Sequence, residues 1–113
     1  MHEMALAASL VDLIAEQAHA NGLAHVKRVW LALGAHAAVD ESALAFGFEV
    51  ARRGTIAEDA ELCVERVPGR AYCMECSDTV DVTARGAPCP VCGGYQLLLV
   101  AGEEMRLTAL EGN

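Results

Sequence analysis

The sequence contains few aromatic residues and little positive charge. Its 113 residues include one Trp, two Tyr and two Phe, and eight Lys and Arg stand against sixteen Asp and Glu, which gives a formal net charge of −8. A surface this acidic repels phosphate backbones and anionic membranes, and favours cations and basic protein surfaces. The shortage of aromatic residues also removes the stacking platforms that single-stranded nucleic acids need. We therefore expect neither a nucleic-acid partner nor a membrane partner.

Long apolar runs are missing as well. Hydrophobic residues make up 54% of the chain, but no stretch approaches the roughly 20 apolar residues of a membrane span. Much of the apolar fraction is alanine, so the core must be built mainly from Leu, Val, Ile and Met. The opening Met1-His2-Glu3-Met4 lacks the basic region that begins a signal peptide. We expect a soluble cytoplasmic protein of one ordinary domain, or of one small core plus a metal-held module.

Four of the five cysteines form two pairs at metal-binding spacing. Each pair encloses two residues, and twelve residues separate the pairs, which are Cys73 with Cys76 and Cys89 with Cys92. A closed structural site for Zn²⁺ takes four soft ligands in a tetrahedron, and a Cys-x-x-Cys turn presents two thiolates on one side of the ion. The odd cysteine count at this spacing indicates a reducing compartment. The pattern predicts a structural zinc site.

Other interpretations of the cysteines stay open at this point, and two disulfides are one of them. A zinc ribbon can bind nucleic acid, but residues 68–97 contain Arg70 and Arg85 against three acidic residues and carry no basic stripe. A thiol oxidoreductase would place one Cys-x-x-Cys pair at a helix N-terminus, where the dipole lowers a thiol pKa. Neither pair opens a convincing helix, and a second pair at metal spacing would remain unexplained.

Hydrophobic periodicity predicts an α+β fold. Helical spacing covers residues 4–20 and 40–53, with Asp40 or Ser42 as the cap of the second helix. Strand patterns cover 26–33, 61–67, 96–100 and 105–110. Because a two-stranded sheet is marginal, we expect the C-terminal strand to return as a third strand. The predicted architecture is a two-helix, three-stranded domain of residues 1–67 and 101–113, with a zinc ribbon-like module inserted at 68–100.

The amino terminus is a second candidate metal site. The free α-amine, the backbone amide of His2 and its imidazole offer adjacent nitrogen donors that can lie in one plane once the amide deprotonates. Square-planar or tetragonal nitrogen surroundings suit Ni(II) or Cu(II), and Glu3 adds a carboxylate as a ligand or as an acceptor behind the ligands. A histidine at position two is also common in a solvated, frayed terminus. The residues alone leave both interpretations open.

Several motifs in this order resemble the HypA/HybF family of hydrogenase nickel-insertion accessory proteins. The resemblance covers essentially the whole chain and includes the paired cysteines. Its other motifs are Met1-His2-Glu3, Phe46-Gly47-Phe48-Glu49-Val50, Gly54-Thr55-Ile56-Ala57-Glu58, Val67-Pro68-Gly69-Arg70-Ala71 and Gly102-Glu103-Glu104-Met105-Arg106-Leu107. The resemblance implies a nickel metallochaperone that is not an enzyme, with a nickel-binding α/β domain and a zinc ribbon-like domain.

The resemblance also implies roles for individual residues. His2 is the principal nickel ligand, helped by the α-amine and nearby backbone amides, and Glu3 supports or tunes the site. Asp40 can supply a carboxylate oxygen, although a helix cap would use the same oxygens. The implied partners are a nickel-handling GTPase of hydrogenase maturation and the immature hydrogenase large subunit, and an exposed strand edge can support a homodimer.

Three residues outside these sites carry smaller expectations. We expect His36 to be an exposed loop histidine and Cys63 to be a buried, inert thiol. Ser77 follows the first cysteine pair at a position where the family commonly has glycine, which puts only the loop geometry in doubt.

Overall fold

The structure, a computed structural model, describes residues 2–113 and contains two helices and six strands within them. The helices are α1 (Glu3–Ala20) and α2 (Glu41–Ala51); the strands are β1 (Val26–Gly34), β2 (Glu61–Val67), β3 (Arg70–Cys73), β4 (Asp78–Asp81), β5 (Leu97–Ala101) and β6 (Met105–Gly112). The strands form two three-stranded sheets, in the orders β2-β1-β6 and β4-β3-β5. The α+β fold class is confirmed, and the C-terminal strand does complete the first sheet.

The chain divides into two compact units. The first unit comprises Met1–Leu31, Val39–Val64 and Leu107–Asn113, and the second comprises Ala32–Ala38 and Glu65–Arg106. These units describe compactness and not independent folding. The predicted inserted module at 68–100, with the remainder as the nickel-binding domain, therefore stays a prediction.

In the first unit, α1 and α2 pack closely because of one small residue. The buried positions of α1 recur at helical spacing, at Ala7, Leu10, Val11, Ile14 and Ala18. On α2, Gly47 faces α1, and a Cβ atom placed on it would lie 3.1 Å from both the Cβ of Ala7 and the Sδ of Met4. The glycine therefore lets the two helices approach, and Leu44 and Phe48 on either side of it are fully buried.

In the second unit, β3 lies at the centre of its sheet. It pairs antiparallel with β4 and with β5, so that Cys73 stands opposite Asp78 on one side and Leu97 on the other. The small core consists of Ala71, Cys73, Val80, Val82 and Cys89. Two of the cysteines are thus core residues as well as candidate ligands, which ties the stability of this unit to its metal site.

Candidate metal sites

The four cysteine sulfurs form a cluster of the size that a tetrahedral metal ion requires. All four Sγ atoms lie within 4.8 Å of one another. The Sγ atoms of Cys73 and Cys92 are 3.6 Å apart, and those of Cys76 and Cys89 are 3.9 Å apart. A zinc–sulfur bond of about 2.3 Å puts the sulfurs of a tetrahedral site about 3.8 Å apart. The donor set and its dimensions therefore fit a zinc ion.

Backbone N–H groups point at three of these sulfurs. Cys73 Sγ accepts from the N–H of Cys76, Cys89 Sγ from that of Val91, and Cys92 Sγ from that of Gly94, each at 3.4 Å. The turn after the second pair needs Gly93, whose φ is 75°. N–H donors stabilise the thiolate form of a cysteine. The two Cys-x-x-Cys turns therefore prepare the sulfurs for a cation before one binds.

Neighbouring sulfurs and backbone N–H groups shift the pKa values of two of these cysteines in opposite directions. The hydrogen bond with Cys92, together with burial, raises the pKa of the Cys76 thiol to about 12. Backbone hydrogen bonds from Cys92 and Val91 lower the pKa of Cys89 to about 7. Because the pKa of Cys76 is raised, a metal ion that binds this thiolate displaces its proton.

The cluster is enclosed on one side and open on the other. Cys73 is 0% exposed and Cys89 is 2% exposed, whereas Cys76 is half-buried and Cys92 is exposed. A bound ion would therefore meet solvent at Cys92.

At the amino-terminal end, the structure brings Glu3 and Asp40 together. Glu3 is only 7% exposed, and its Oε2 accepts a hydrogen bond of 3.1 Å from the backbone N–H of Asp40. The Oδ1 of Asp40 in turn accepts from the N–H of Ala43 at 3.1 Å, so Asp40 caps α2. The cap was one of the two predicted for this helix, but the link to Glu3 was not predicted.

His2 occupies the position just before α1. Its side chain is exposed, makes no capping hydrogen bond, and its carbonyl oxygen accepts from the N–H of Leu6 at 2.9 Å. Within residues 2–113, the four cysteines are the single group of three or more His, Cys, Asp or Glu side chains close enough to share an ion. Ligation of nickel by His2, Glu3 and Asp40 therefore stays a prediction, and the α-amine of Met1 lies outside the described residues.

Two smaller expectations were wrong. His36 is half-buried, because its Nε2 lies 3.0 Å from the carbonyl oxygen of Val82 and its ring covers Gly69, where no Cβ atom would fit. Its backbone N–H also donates to the carbonyl of Gly102 at 2.7 Å. His36 thus contributes to the packing of the second unit. Cys63 is half-buried instead of fully buried.

Among residues 2–113, neither helix is both long enough and apolar enough to cross a membrane.

These features define a small α+β metal-binding protein, and the comparisons with known proteins give its family. The family model described as "Hydrogenase/urease nickel incorporation, metallochaperone, hypA" matches residues 1–112. The hydrogenase maturation factor HypA of Rhodopseudomonas palustris (strain TIE-1) is 45% identical over 111 residues, which cover 98% of each chain. The hydrogenase maturation factor HybF of Klebsiella pneumoniae is 41% identical over 112 residues, or 99% of each chain.

A solved structure supports the same assignment. The solution structure of the Ni metallochaperone HypA from Helicobacter pylori is 30% identical, with a TM-score of 0.73 over 99% of this chain and 97% of that one. The chain belongs to the HypA family. This family consists of metallochaperones and maturation factors and not of enzymes, which excludes the thiol oxidoreductase considered above.

Proposed function

We propose that this protein binds Ni(II) at its amino-terminal end and delivers it during maturation of [NiFe]-hydrogenase, while its four cysteines hold a structural Zn(II). The observation that carries the nickel function is the full-length match to a nickel-incorporation family. The exposure of His2 supports it, because a cargo ion must exchange with a recipient and needs an accessible ligand. Nickel is thus the cargo of the protein, and zinc is a part of its structure.

The contacts at the amino-terminal end support different roles for its three residues. The imidazole of His2 is exposed and free to ligate. The carboxylate of Glu3 is buried and already accepts the Asp40 N–H, so Glu3 positions the backbone next to His2 instead of binding the ion. Asp40 uses an oxygen for the helix cap. Nickel ligation then falls to His2, the α-amine and backbone amides, which are the nitrogen donors that Ni(II) accepts in tetragonal geometry.

The experiment that tests the nickel site is a calorimetric nickel titration of untagged protein. We expect His2→Ala to weaken binding by about tenfold or more, and His25→Ala, which removes another exposed histidine, to leave it unchanged. A fused N-terminal tag should act like His2→Ala because it removes the free amine. If His2→Ala kept the wild-type affinity, the proposed site would be wrong.

The zinc proposal has a separate test. Protein purified without added metal should contain about one zinc ion per chain, and Cys73→Ala should lose it because this sulfur is fully buried in the cluster. Amide NMR signals from the small core of the second unit should then collapse, while those of α1 and α2 persist. Cys63→Ala, which removes the thiol outside the cluster, is the matched control. Equal zinc content in Cys73→Ala and the wild type would contradict the proposal.

The partners and location proposed here follow from the family's role. We infer a cytoplasmic protein that works with the nickel-handling GTPase of hydrogenase maturation and with the immature hydrogenase large subunit. A homodimer through a sheet edge is part of the same proposal, because β5 is an edge strand that exposes Leu98 and Val100. Affinity purification of tagged large subunit from hydrogenase-producing cells should recover the protein, and sedimentation should report the dimer.

A further inference from the structure

Two large apolar side chains are exposed on neighbouring helices of the first unit. Met4 on α1 is 51% exposed, and Phe46 on α2 is 63% exposed. The helices bring them close together, because a Cβ atom on Gly47, the residue after Phe46, would lie 3.1 Å from the Sδ of Met4. Single apolar side chains on a surface are ordinary, whereas a contiguous apolar patch marks an interaction site. Met4 and Phe46 together are the Met4/Phe46 surface.

Small residues continue this surface along both helices. Ala8 and Ser42 are exposed, and each stands four residues from Met4 or from Phe46, which places it on the same helix face. Because neither side chain is bulky, a partner can approach both large side chains from solvent. Methionine adapts its shape to a partner, and aromatic residues and methionine are enriched in protein interfaces. The composition therefore fits a protein-binding surface.

The charge of the two helices restricts the kind of partner. Neither helix contains Lys or Arg, and their acidic residues are Glu3, Asp12, Glu16, Glu41 and Glu49. A second copy of this chain has the same formal charge of −8 and would be repelled. Complementary interfaces set positive groups against negative ones. The surface thus fits an apolar side chain of another protein that is flanked by Lys or Arg.

The position of the surface indicates what that protein does. Met4 lies two residues after His2, whose side chain is exposed. Delivery of nickel by ligand exchange requires the ligands of the acceptor to reach the ion while it is still bound, and holding the reacting groups close together speeds such a step. A protein seated on the Met4/Phe46 surface would have its own ligands beside His2. This proximity favours the protein that receives the nickel.

We propose that the Met4/Phe46 surface docks the nickel acceptor through an apolar side chain flanked by Lys or Arg. This proposal rests on the proposed function, in which the acceptor is the immature hydrogenase large subunit. Phe46 anchors the complex, and exposed acidic residues of the two helices, such as Asp12 and Glu49, attract the basic flanks. The surface serves delivery of the nickel and does not bind the ion itself.

The test measures binding of purified, nickel-free large subunit to matched variants by biolayer interferometry. We expect Phe46→Ser to bind it at least about tenfold more weakly than the wild type does, as is typical of an interface anchor. The nickel affinity of Phe46→Ser in a calorimetric titration should equal that of the wild type. Tyr95→Ser removes an aromatic side chain that is 73% exposed in the second unit, and it should bind the large subunit like the wild type.

Charge reversal tests the same surface without removing an apolar side chain. Glu49→Lys places a positive charge on an exposed position of α2, three residues after Phe46, and we expect it to weaken binding several-fold. Asp59→Lys changes the net charge equally at an exposed position outside both helices, and it should have little effect. Equal losses in the two variants would overturn the proposal, as would wild-type binding by Phe46→Ser.

Three further outcomes separate this proposal from the nickel site. Wild-type protein that binds nickel but not the large subunit would overturn the docking proposal and leave the nickel site standing. Loss of binding to the nickel-handling GTPase in Phe46→Ser, with binding of the large subunit intact, would also overturn it and assign the surface to the GTPase. Wild-type protein that does not bind nickel would overturn both the docking proposal and the proposed function.

Discussion

The backbone N–H of Asp40 donates a hydrogen bond of 3.1 Å to the Oε2 of Glu3, 37 residues away in the sequence. This contact joins the first turn of α1 to the residue that caps α2. Because His2 precedes Glu3 directly, the contact also restrains the backbone amides that we propose as nickel donors. Glu3 thus has a structural partner, Asp40, that the residues next to it in the sequence do not indicate.

Replacement of Glu3 should weaken nickel binding through this restraint. Groups that orient metal ligands typically contribute 10- to 100-fold in metal affinity. We expect Glu3→Ala to lose about tenfold in a nickel titration, and Glu3→Gln, whose amide oxygen can still accept from Asp40, to lose clearly less. Glu16→Ala, on an exposed position of the same helix, is the control. Equal losses in Glu3→Ala and Glu3→Gln would show instead that the negative charge itself binds the ion.

Substitutions of Asp40 can distinguish its role as the cap of α2 from a role as a nickel ligand. Asn is as good a helix cap as Asp, whereas Ala in place of a capping residue costs about 1 kcal/mol. We expect Asp40→Asn to keep both the urea midpoint and the nickel affinity, and Asp40→Ala to lower the midpoint. A large loss of nickel affinity in Asp40→Asn, with unchanged stability, would identify the carboxylate as a nickel ligand.

Nickel affinity should depend on pH. The donors that we propose, an α-amine and an imidazole, must lose their protons before they bind a metal. Protons compete with the ion for both donors, so affinity should fall steadily as the pH is lowered from about 8 to about 6. Titrations at constant ionic strength in buffers that do not bind nickel would measure this. A flat profile would contradict the nitrogen ligand set.

Local patterns predicted the metal site more fully than the contacts around it. The spacing of the cysteines was enough to indicate a tetrahedral site, because each Cys-x-x-Cys turn sets the positions of two sulfurs by itself. The cap at Asp40 could also be predicted from the sequence, because its hydrogen-bond partner Ala43 is only three positions away. The contact of Glu3 with Asp40 spans 37 residues and depends on how α1 and α2 pack, which no local pattern encodes.

The second sheet was missed in part for a similar reason. β3 and β4 are only four residues long, too short for a clear alternating pattern, and β4 places Val80 alone among polar residues. These strands pair around buried cysteines. The sequence around His36 does not indicate its burial, because its partners, Val82 and Gly69, lie 46 and 33 positions further along the chain.

Acid should weaken the turn between β5 and β6. The backbone N–H groups of Glu104 itself and of Gly102 hold the pKa of the Glu104 carboxyl below its ordinary value of 4.5, and the Gly102 bond is 2.6 Å long. Because the folded pKa is lower than the unfolded one, the ionised carboxylate stabilises the fold above about pH 4.5, and this stabilisation is lost as the pH falls through the folded pKa.

The variant Glu104→Gln isolates this contribution. We expect its thermal midpoint to lie below that of the wild type at pH 7 and to converge with it at the acidic end of a series from pH 7 to pH 3. Any loss of metal in acid affects the wild type and Glu104→Gln alike, so it cancels in the difference between their thermal midpoints. A difference that stayed constant over the series would show that the charge of Glu104 contributes nothing.

Ser77 is the one residue other than glycine with a positive φ, 54°, among residues 2–113. This left-handed conformation costs an L-residue with a Cβ atom roughly 1–2 kcal/mol, whereas glycine adopts it freely but loses more entropy on folding. We expect Ser77→Gly to raise the urea unfolding free energy of the metal-bound protein by about 0.5–1 kcal/mol, since the relief of strain exceeds the entropy cost. Asparagine tolerates this conformation better than most residues, so the unfolding free energy of Ser77→Asn should lie between those of the wild type and Ser77→Gly. A less stable Ser77→Gly would mean that the serine hydroxyl stabilises the turn by more than its backbone costs.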